Sequence, residues 1–271
     1  MNNPRILVQI SQTKFDPWAS IFINGQLPTF ILNNNNPNIK FEPYFGKKLF
    51  NIFHKIEFFV SGYRSHKYIS RILYKLEKIV KFGISDWIPR YDRNQQYFNY
   101  PGVFLHMPDM SLLGSHKTLG ALNASLEVDY EYLVQICTST YLNLENLSSK
   151  LAKLPKTGLI SGRFISGNEA LISGSFRIFS REIVEYVVNN HSACDHGLLE
   201  DISISRLLEN YPAIRVSLDI ADVSSVSDLR QLTKDQLENV VAFRCKSGSL
   251  KSRHDVEIMT LLHSALYFTR H

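Results

Sequence analysis

The sequence predicts an α/β protein built on a mostly parallel central sheet, and three observations lead there. Short apolar runs of strand length recur at "RILVQI" (5–10), "GVFLHMPD" (102–109) and "YEYLVQI" (130–136), as expected of strands covered on both faces. Stretches of helical period separate many of them, the alternation typical of α/β folds. The 271 residues, 44% hydrophobic and 20% charged, are also enough to bury a large core.

Each element has a local reason. "RILVQI" passes into polar "SQTKFD", where Asp16 and Pro17 read as N-cap and first residue of a helix through "WASIFINGQ". "NNNNPN" (33–38) is a turn, and "IKFEPYF" follows as a strand. Between Gly62 and Gly83, Tyr68, Ile69, Ile72, Leu73, Leu76, Ile79 and Val80 form one stripe, with Arg64, Lys67, Arg71, Lys75, Lys78 and Lys81 around it. Such a basic helix (64–82) either rests on an anionic membrane or packs its stripe on the domain and leaves its lysines in water.

Residues 84–101 read as irregular and aromatic. After the 102–109 strand, helices are expected at 111–127, 144–154 and 181–190, with the 130–136 strand after the first of them and strand-like pieces around "FISGNEALISGSFRIFS". "IRVSLDI" and "VVAFRCKS" are late strands, and residues 255–268 make a terminal helix. No internal repeat or linker is evident, so 1–271 reads as one domain.

The bulk numbers exclude several classes. Cys137, Cys194 and Cys245 form no CxxC pair, so neither a disulfide framework nor a zinc site is expected, and a reducing compartment fits. The apolar run at the N-terminus is too short for a signal peptide and no stretch reaches membrane-spanning length, which gives a cytoplasmic expectation, at the inner face of the membrane if the basic helix binds lipid. A net charge of +5 and a pI near 9.0 suit an ordinary basic surface or a phosphate-bearing or anionic ligand. Nucleic acid is not expected as a partner, for want of zinc-finger spacing or an aromatic RNA-binding strand pair.

"HGLLEDISISRLLENYP" (196–212) places Glu200 and Asp201 at the start of a helical stripe of Ile204, Leu207, Leu208 and Tyr211. From the residues alone two readings are open: a carboxylate that caps the helix and complements its dipole, or one aimed into a cleft to take a proton. Gly167, Ser173 and Gly174 suit either simple turns or a loop that approaches a ligand closely. His191 and His196 flank the acids at the wrong spacing for a metal-binding helix and read as surface residues.

Four ordered stretches carry a family resemblance. "DMSLLGSHKTLGALNASLEVDYEYLVQICTSTYLNLENL", "FISGNEALISGSFRIFSREIVEYVV", "LLEDISISRLL" and "VAFRCKSG", spanning 109–250, resemble segments of beta-1,3-galactosyltransferase-like and fringe-like enzymes and related bacterial polysaccharide glycosyltransferases. The resemblance implies a GT-A-like αβα sandwich with a Rossmann-like nucleotide-binding half. It implies a donor-binding half at about 1–145 and an acceptor-side half at about 146–271. It also implies inverting transfer from a sugar nucleotide to a polysaccharide or lipid-linked glycan, with Asp201 as catalytic base beside Glu200. A non-catalytic sugar- or nucleotide-binding relative is the alternative.

The chain departs from that family where its metal-binding acids stand, for Cys137, Thr138 and Ser139 fall on those positions. Divalent Mg and Mn prefer hard carboxylate oxygens, so no tightly bound metal and no other cofactor is expected. Leaving-group charge then needs fixed cations, and Arg244, Lys246, Lys251 and Arg253 in "FRCKSGSLKSR" are the candidates, with Gly248 letting the loop fold over phosphates. A solvated basic loop is the competing reading. Thr138 and Ser139 either hydrogen-bond the donor or form a plain turn. The nucleoside is expected beyond the first strand, near Ser11, Gln12 and Thr13, with Lys117 either reaching a phosphate or standing exposed on its helix. Trp18 reads as core. The oligomeric state is left open.

Overall fold

A computed structural model describes residues 3–47, 87–109, 114–165, 168–196, 198–247 and 253–267. The basic helix 64–82 and the expectations on Gly167, Gly248 and Lys251 lie outside the described residues.

An eight-stranded sheet organises the molecule. Its strands are β1 (Ile6–Ser11), β2 (Ile39–Lys47), β3 (Tyr91–Tyr97), β4 (Tyr100–Pro108), β5 (Tyr132–Cys137), β7 (Leu159–Ile165), β8 (Asn168–Ser180) and β9 (Ile214–Ser217), in the order β3-β4-β2-β1-β5-β8-β7-β9. The run β4-β2-β1-β5 is parallel throughout. β8 enters antiparallel to both β5 and β7, while β9 returns parallel to β7. A second, three-stranded sheet has the order β10 (Ile220–Asp222), β11 (Ala242–Arg244), β6 (Thr140–Leu142).

Helices cover both faces. On one lie α2 (Gly114–Ser125), α4 (Arg181–Asn189) and α5 (Glu200–Leu207), whose Leu119, Leu122, Ile183, Val187 and Ile204 pack on Leu7, Leu133 and Phe179. On the other, α1 (Trp18–Ile21) runs on into a π-helix, Phe22–Ile31, beside α3 (Leu144–Leu151) and the terminal α8 (Asp255–Tyr267). Phe22, Phe30, Leu147, Ile258 and Leu262 there meet Ile6, Val8 and Ile10. Alternate residues of β1 thus feed opposite cores, which is why Ile6–Ile10 is apolar but for one amide. Among the described residues no helix is long and apolar enough to cross a membrane.

Two expectations need correction, and two short helices were not anticipated. The stretch 84–101 is not irregular throughout: Tyr91–Tyr97 forms β3, paired antiparallel with β4 through a two-residue turn at Phe98 and Asn99, both at positive φ. β3 is an edge strand of mostly polar residues, so it lacks the apolar alternation that marks a half-buried strand. Two short helices, α6 (Val226–Gln231) and α7 (Lys234–Asn239), separate β10 from β11 with no buried residue of their own, and hence no amphipathic signature. His196 is not a surface residue: it is buried, with its Nδ1 2.9 Å from the Ser115 hydroxyl.

Candidate functional site

The carboxyl ends of the parallel strands, the β8 segment 172–177 and the start of α5 converge on one region. β8 advances five positions, between Ile172 and Arg177, while β7 advances only two, from Gly162 to Phe164, so β8 bulges. A bulge re-aims side chains that regular pleating would alternate. Gly174, in the bulge, is pressed against the acid pair: a Cβ there would meet the Glu200 Oε2 at 2.9 Å and the Asp201 Cβ at 3.6 Å. Its neighbours Ser173 and Ser175, with hydroxyls 2.8 Å apart, face an open cleft of about 370 Å³. Arg163, Asp222, Ser224, Arg244 and Lys246 complete the lining.

The two acids are held differently. Glu200 receives Arg177 Nη2 and, at 2.9 Å, the Thr118 hydroxyl, both on Oε1. Asp201 Oδ1 accepts the Ile202 amide at 2.9 Å, and Asp201 is otherwise half-buried at the helix start. The pair opens α5, where negative charge suits the helix dipole, and it borders the bulge that lines the cleft, though neither acid is itself among the cleft-lining residues.

Arg177 comes from the apolar run "SFRIFS" and is 1% exposed. Its Nε donates to Gln135 Oε1 at 2.9 Å, Gln135 donates to Gln9 at 3.0 Å, and Gln9 donates to Glu42 at 3.1 Å. These four residues are direct register partners on β8, β5, β1 and β2. A buried ion has to be paired, and removing one partner of such a pair costs about 3–5 kcal/mol because the other charge is stranded. Tyr44 lies in the same neighbourhood. Burial, and then the Glu200 charge, push its phenol above the ordinary 10.0, so it remains a neutral hydrogen-bonding group beside Ser11 and Thr118.

The other sequence-predicted residues are placed as follows. Arg244 and Lys246 line the cleft together, though Lys246 stands past the end of β11. Arg244 Nη1 donates to the Cys137 sulfur, which also lies 3.2 Å from the Thr140 hydroxyl. Arg253 is buried in a double ion pair with Asp255, at 2.9 and 2.6 Å, and donates to the Ser139 hydroxyl at 2.5 Å. Thr138 donates to the Ser11 carbonyl at 3.1 Å. The Cys-Thr-Ser turn is further fixed by Gln26 of the π-helix, whose amide donates to the carbonyls of Cys137 and Thr140.

Lys117 is not exposed; it is buried, ion-paired to Asp109 at 2.7 Å, and donates to the Gln12 carbonyl. The Gln12 side chain donates to Gln26 at 3.0 Å, and the Thr13 carbonyl accepts the Tyr97 hydroxyl at 2.6 Å. Trp18 is half-buried. Among the described residues, no three His, Cys, Asp or Glu side chains converge as metal ligands.

Sequence reasoning passed over Arg163, Asp222 and Ser224 of the cleft, and Arg177, Tyr44 and Thr118 behind the acids. Arg163 and Asp222 form a two-pronged ion pair at 2.6 and 2.7 Å across the cleft wall. Nothing in their local sequence announces that pairing, which depends on β7 and β10 meeting in space. Arg177 did leave a signal, a lone cation in an apolar strand.

No family model matches the chain, and no curated protein matches it. Among solved structures it is similar to a glycosyltransferase involved in the glycosylation of the major capsid of PBCV-1. That similarity has a TM-score of 0.43 and 8% identity, over 94% of this chain and 99% of the other. It is also similar to mouse xyloside xylosyltransferase 1 in its apo form, with a TM-score of 0.39 and 8% identity over 92% of this chain and 100% of that one. At these values the function has to be argued from the site.

Proposed function

We propose that this chain is an inverting glycosyltransferase that moves a sugar from a nucleotide donor to a polysaccharide or lipid-linked glycan without a catalytic metal. The observation that carries the reading is the shared bulge. Gly174 touches the Glu200–Asp201 pair, while Ser173 and Ser175 on either side of it line the cleft that Arg244 and Lys246 enter. A proton acceptor and fixed cations thus border one short segment, as a displacement with a charged leaving group requires.

Asp201 takes the proton of the acceptor hydroxyl as its oxygen bonds to the anomeric carbon. The bond from that carbon to the diphosphate breaks, and its electron pair leaves with the diphosphate oxygen. Glu200 is already engaged by Arg177 and Thr118, which leaves Asp201 as the base. General-base help of this kind contributes about 10²–10⁴ in rate. Arg244 and Lys246 take up the leaving-group charge. The Arg244 guanidinium against Cys137 supports the metal-free part of the reading, because it stands beside the residue that takes the place of a metal-binding acid in the resembled family.

A screen of sugar nucleotides by thermal shift identifies the donor, since a ligand bound to the native state raises the melting temperature. With that donor, Asp201→Asn should keep the fold and the shift while transfer falls by about 10²-fold or more. Near-normal transfer by the variant would refute the assignment. Wild-type activity should survive a chelator, and strict dependence on Mn²⁺ would remove the metal-free claim.

A second reading, a non-catalytic binder of sugar or nucleotide, draws on the cations already neutralised in place: Arg163 by Asp222 and Arg253 by Asp255. Slow release of nucleoside diphosphate that vanishes in Asp201→Asn favours the enzyme; binding with no release favours the binder.

A further inference from the structure

The Arg177 side chain has no access to solvent and no place in the chemistry just described, yet it is the largest fully buried side chain of the described residues. Two of its three nitrogens are committed to different elements. Nε points to Gln135 in the sheet, and Nη2 points to Glu200 at the first turn of α5. The third, Nη1, is buried with no hydrogen-bond partner, so the guanidinium is held for its two directed contacts and not because the site satisfies it fully.

Apart from its packing on Gly174, α5 has little else among the described residues to fix its first turn. Leu199 at its N-cap position is 63% exposed, and no side chain caps the helix. Ser203, Ile204 and Ser205 are buried, so the later turns are packed. Glu200 is therefore the point at which the first turn is tied to the sheet.

We infer that Arg177 is a positioning residue: through Glu200 it ties the first turn of α5 to the buried row of the sheet and so sets where Asp201 stands relative to the cleft. The inference rests on the proposed role of Asp201. It goes beyond that role in assigning Glu200 as a tether and Arg177 as its anchor. A fork that reaches two partners at fixed angles is what a guanidinium supplies and an ammonium does not. Misplacing a reacting group by about 1 Å costs on the order of 10²-fold in rate.

The test uses the full chain and four variants. Arg177→Met and Glu200→Ala should each lower kcat by roughly 10²-fold while the donor KM stays within about threefold. Arg177→Lys should recover part of the loss, and the double variant should be no worse than Arg177→Met, because both changes cut one contact. Amide exchange across residues 200–207 should quicken in Arg177→Met and Glu200→Ala. If Arg177→Met does not fold, Glu200→Ala breaks the same contact from its half-buried side and decides the matter. Unchanged kcat, additive losses, or wild-type exchange at α5 in the variants would overturn the tether. If the wild type transfers no sugar from any donor, the proposed function fails, while the exchange measurement still decides whether Arg177 holds the helix.

Discussion

Position 137 shows how much chemistry one residue reports. Cys137 is partly exposed, with Arg244 and Thr140 on its sulfur, whereas Cys194 and Cys245 are buried. Burial pushes the Cys194 thiol up to about 11 and raises Cys245 as well, so neither is a ready nucleophile near neutral pH. Iodoacetamide should label the native chain at Cys137 alone and all three thiols after denaturation; native label on Cys194 or Cys245 would contradict their burial. The Cys-Thr-Ser turn, Arg244 and the acid pair were legible because each departs from its surroundings in type or follows a motif. The exposed reading of Lys117 and the surface reading of His196 failed because local sequence does not reveal which face a neighbouring segment covers. Arg177 was missed because one cation inside an apolar run does not say what it pairs with.

Elements were legible where they bury a stripe. The central strands and the helices over both faces announced themselves, with ends shifted by a few residues. β3, α6 and α7 bury too little to leave a pattern. Two contacts between elements are open to measurement. At the β7 bulge site, Gly162 has φ 133, and a Cβ there would lie 2.6 Å from the Phe176 carbonyl oxygen. Gly162→Ala should destabilise by about 2 kcal/mol or more by denaturant titration, the scale of a strained backbone plus a clash; an unchanged midpoint would show that β8 can yield there.

The π-helix and α8 meet at His263. Its Nε2 lies 3.3 Å from the Asn33 amide nitrogen, and its Nδ1 lies 3.1 Å from the Tyr141 hydroxyl oxygen. Burial holds this imidazole below its ordinary 6.5. The unfolded chain then binds the proton more readily, so the contribution is present above 6.5 and lost as pH falls through the folded-state value. The denaturation midpoint should drop from about pH 8 to about pH 5, and the drop should shrink in His263→Leu. An equal drop in both would remove the role.

At the scale of the molecule, the parallel half of the sheet was readable from its apolar runs, but the entry of β8 in the opposite sense was not, because direction depends on how the 144–158 segment returns. One trace of the architecture did stand in the sequence. The tetrapeptide LVQI occurs at 7–10 and again at 133–136, and the two copies lie side by side, residue against residue. Their glutamines are the middle of the row Glu42–Gln9–Gln135–Arg177. Side chains alternate along a strand, so sliding any one of these four by a single position would thrust an amide, a carboxylate or a guanidinium into the opposite apolar layer and orphan its companions. The row works as a key cut for one alignment: a chain that zipped up wrongly could not close around it.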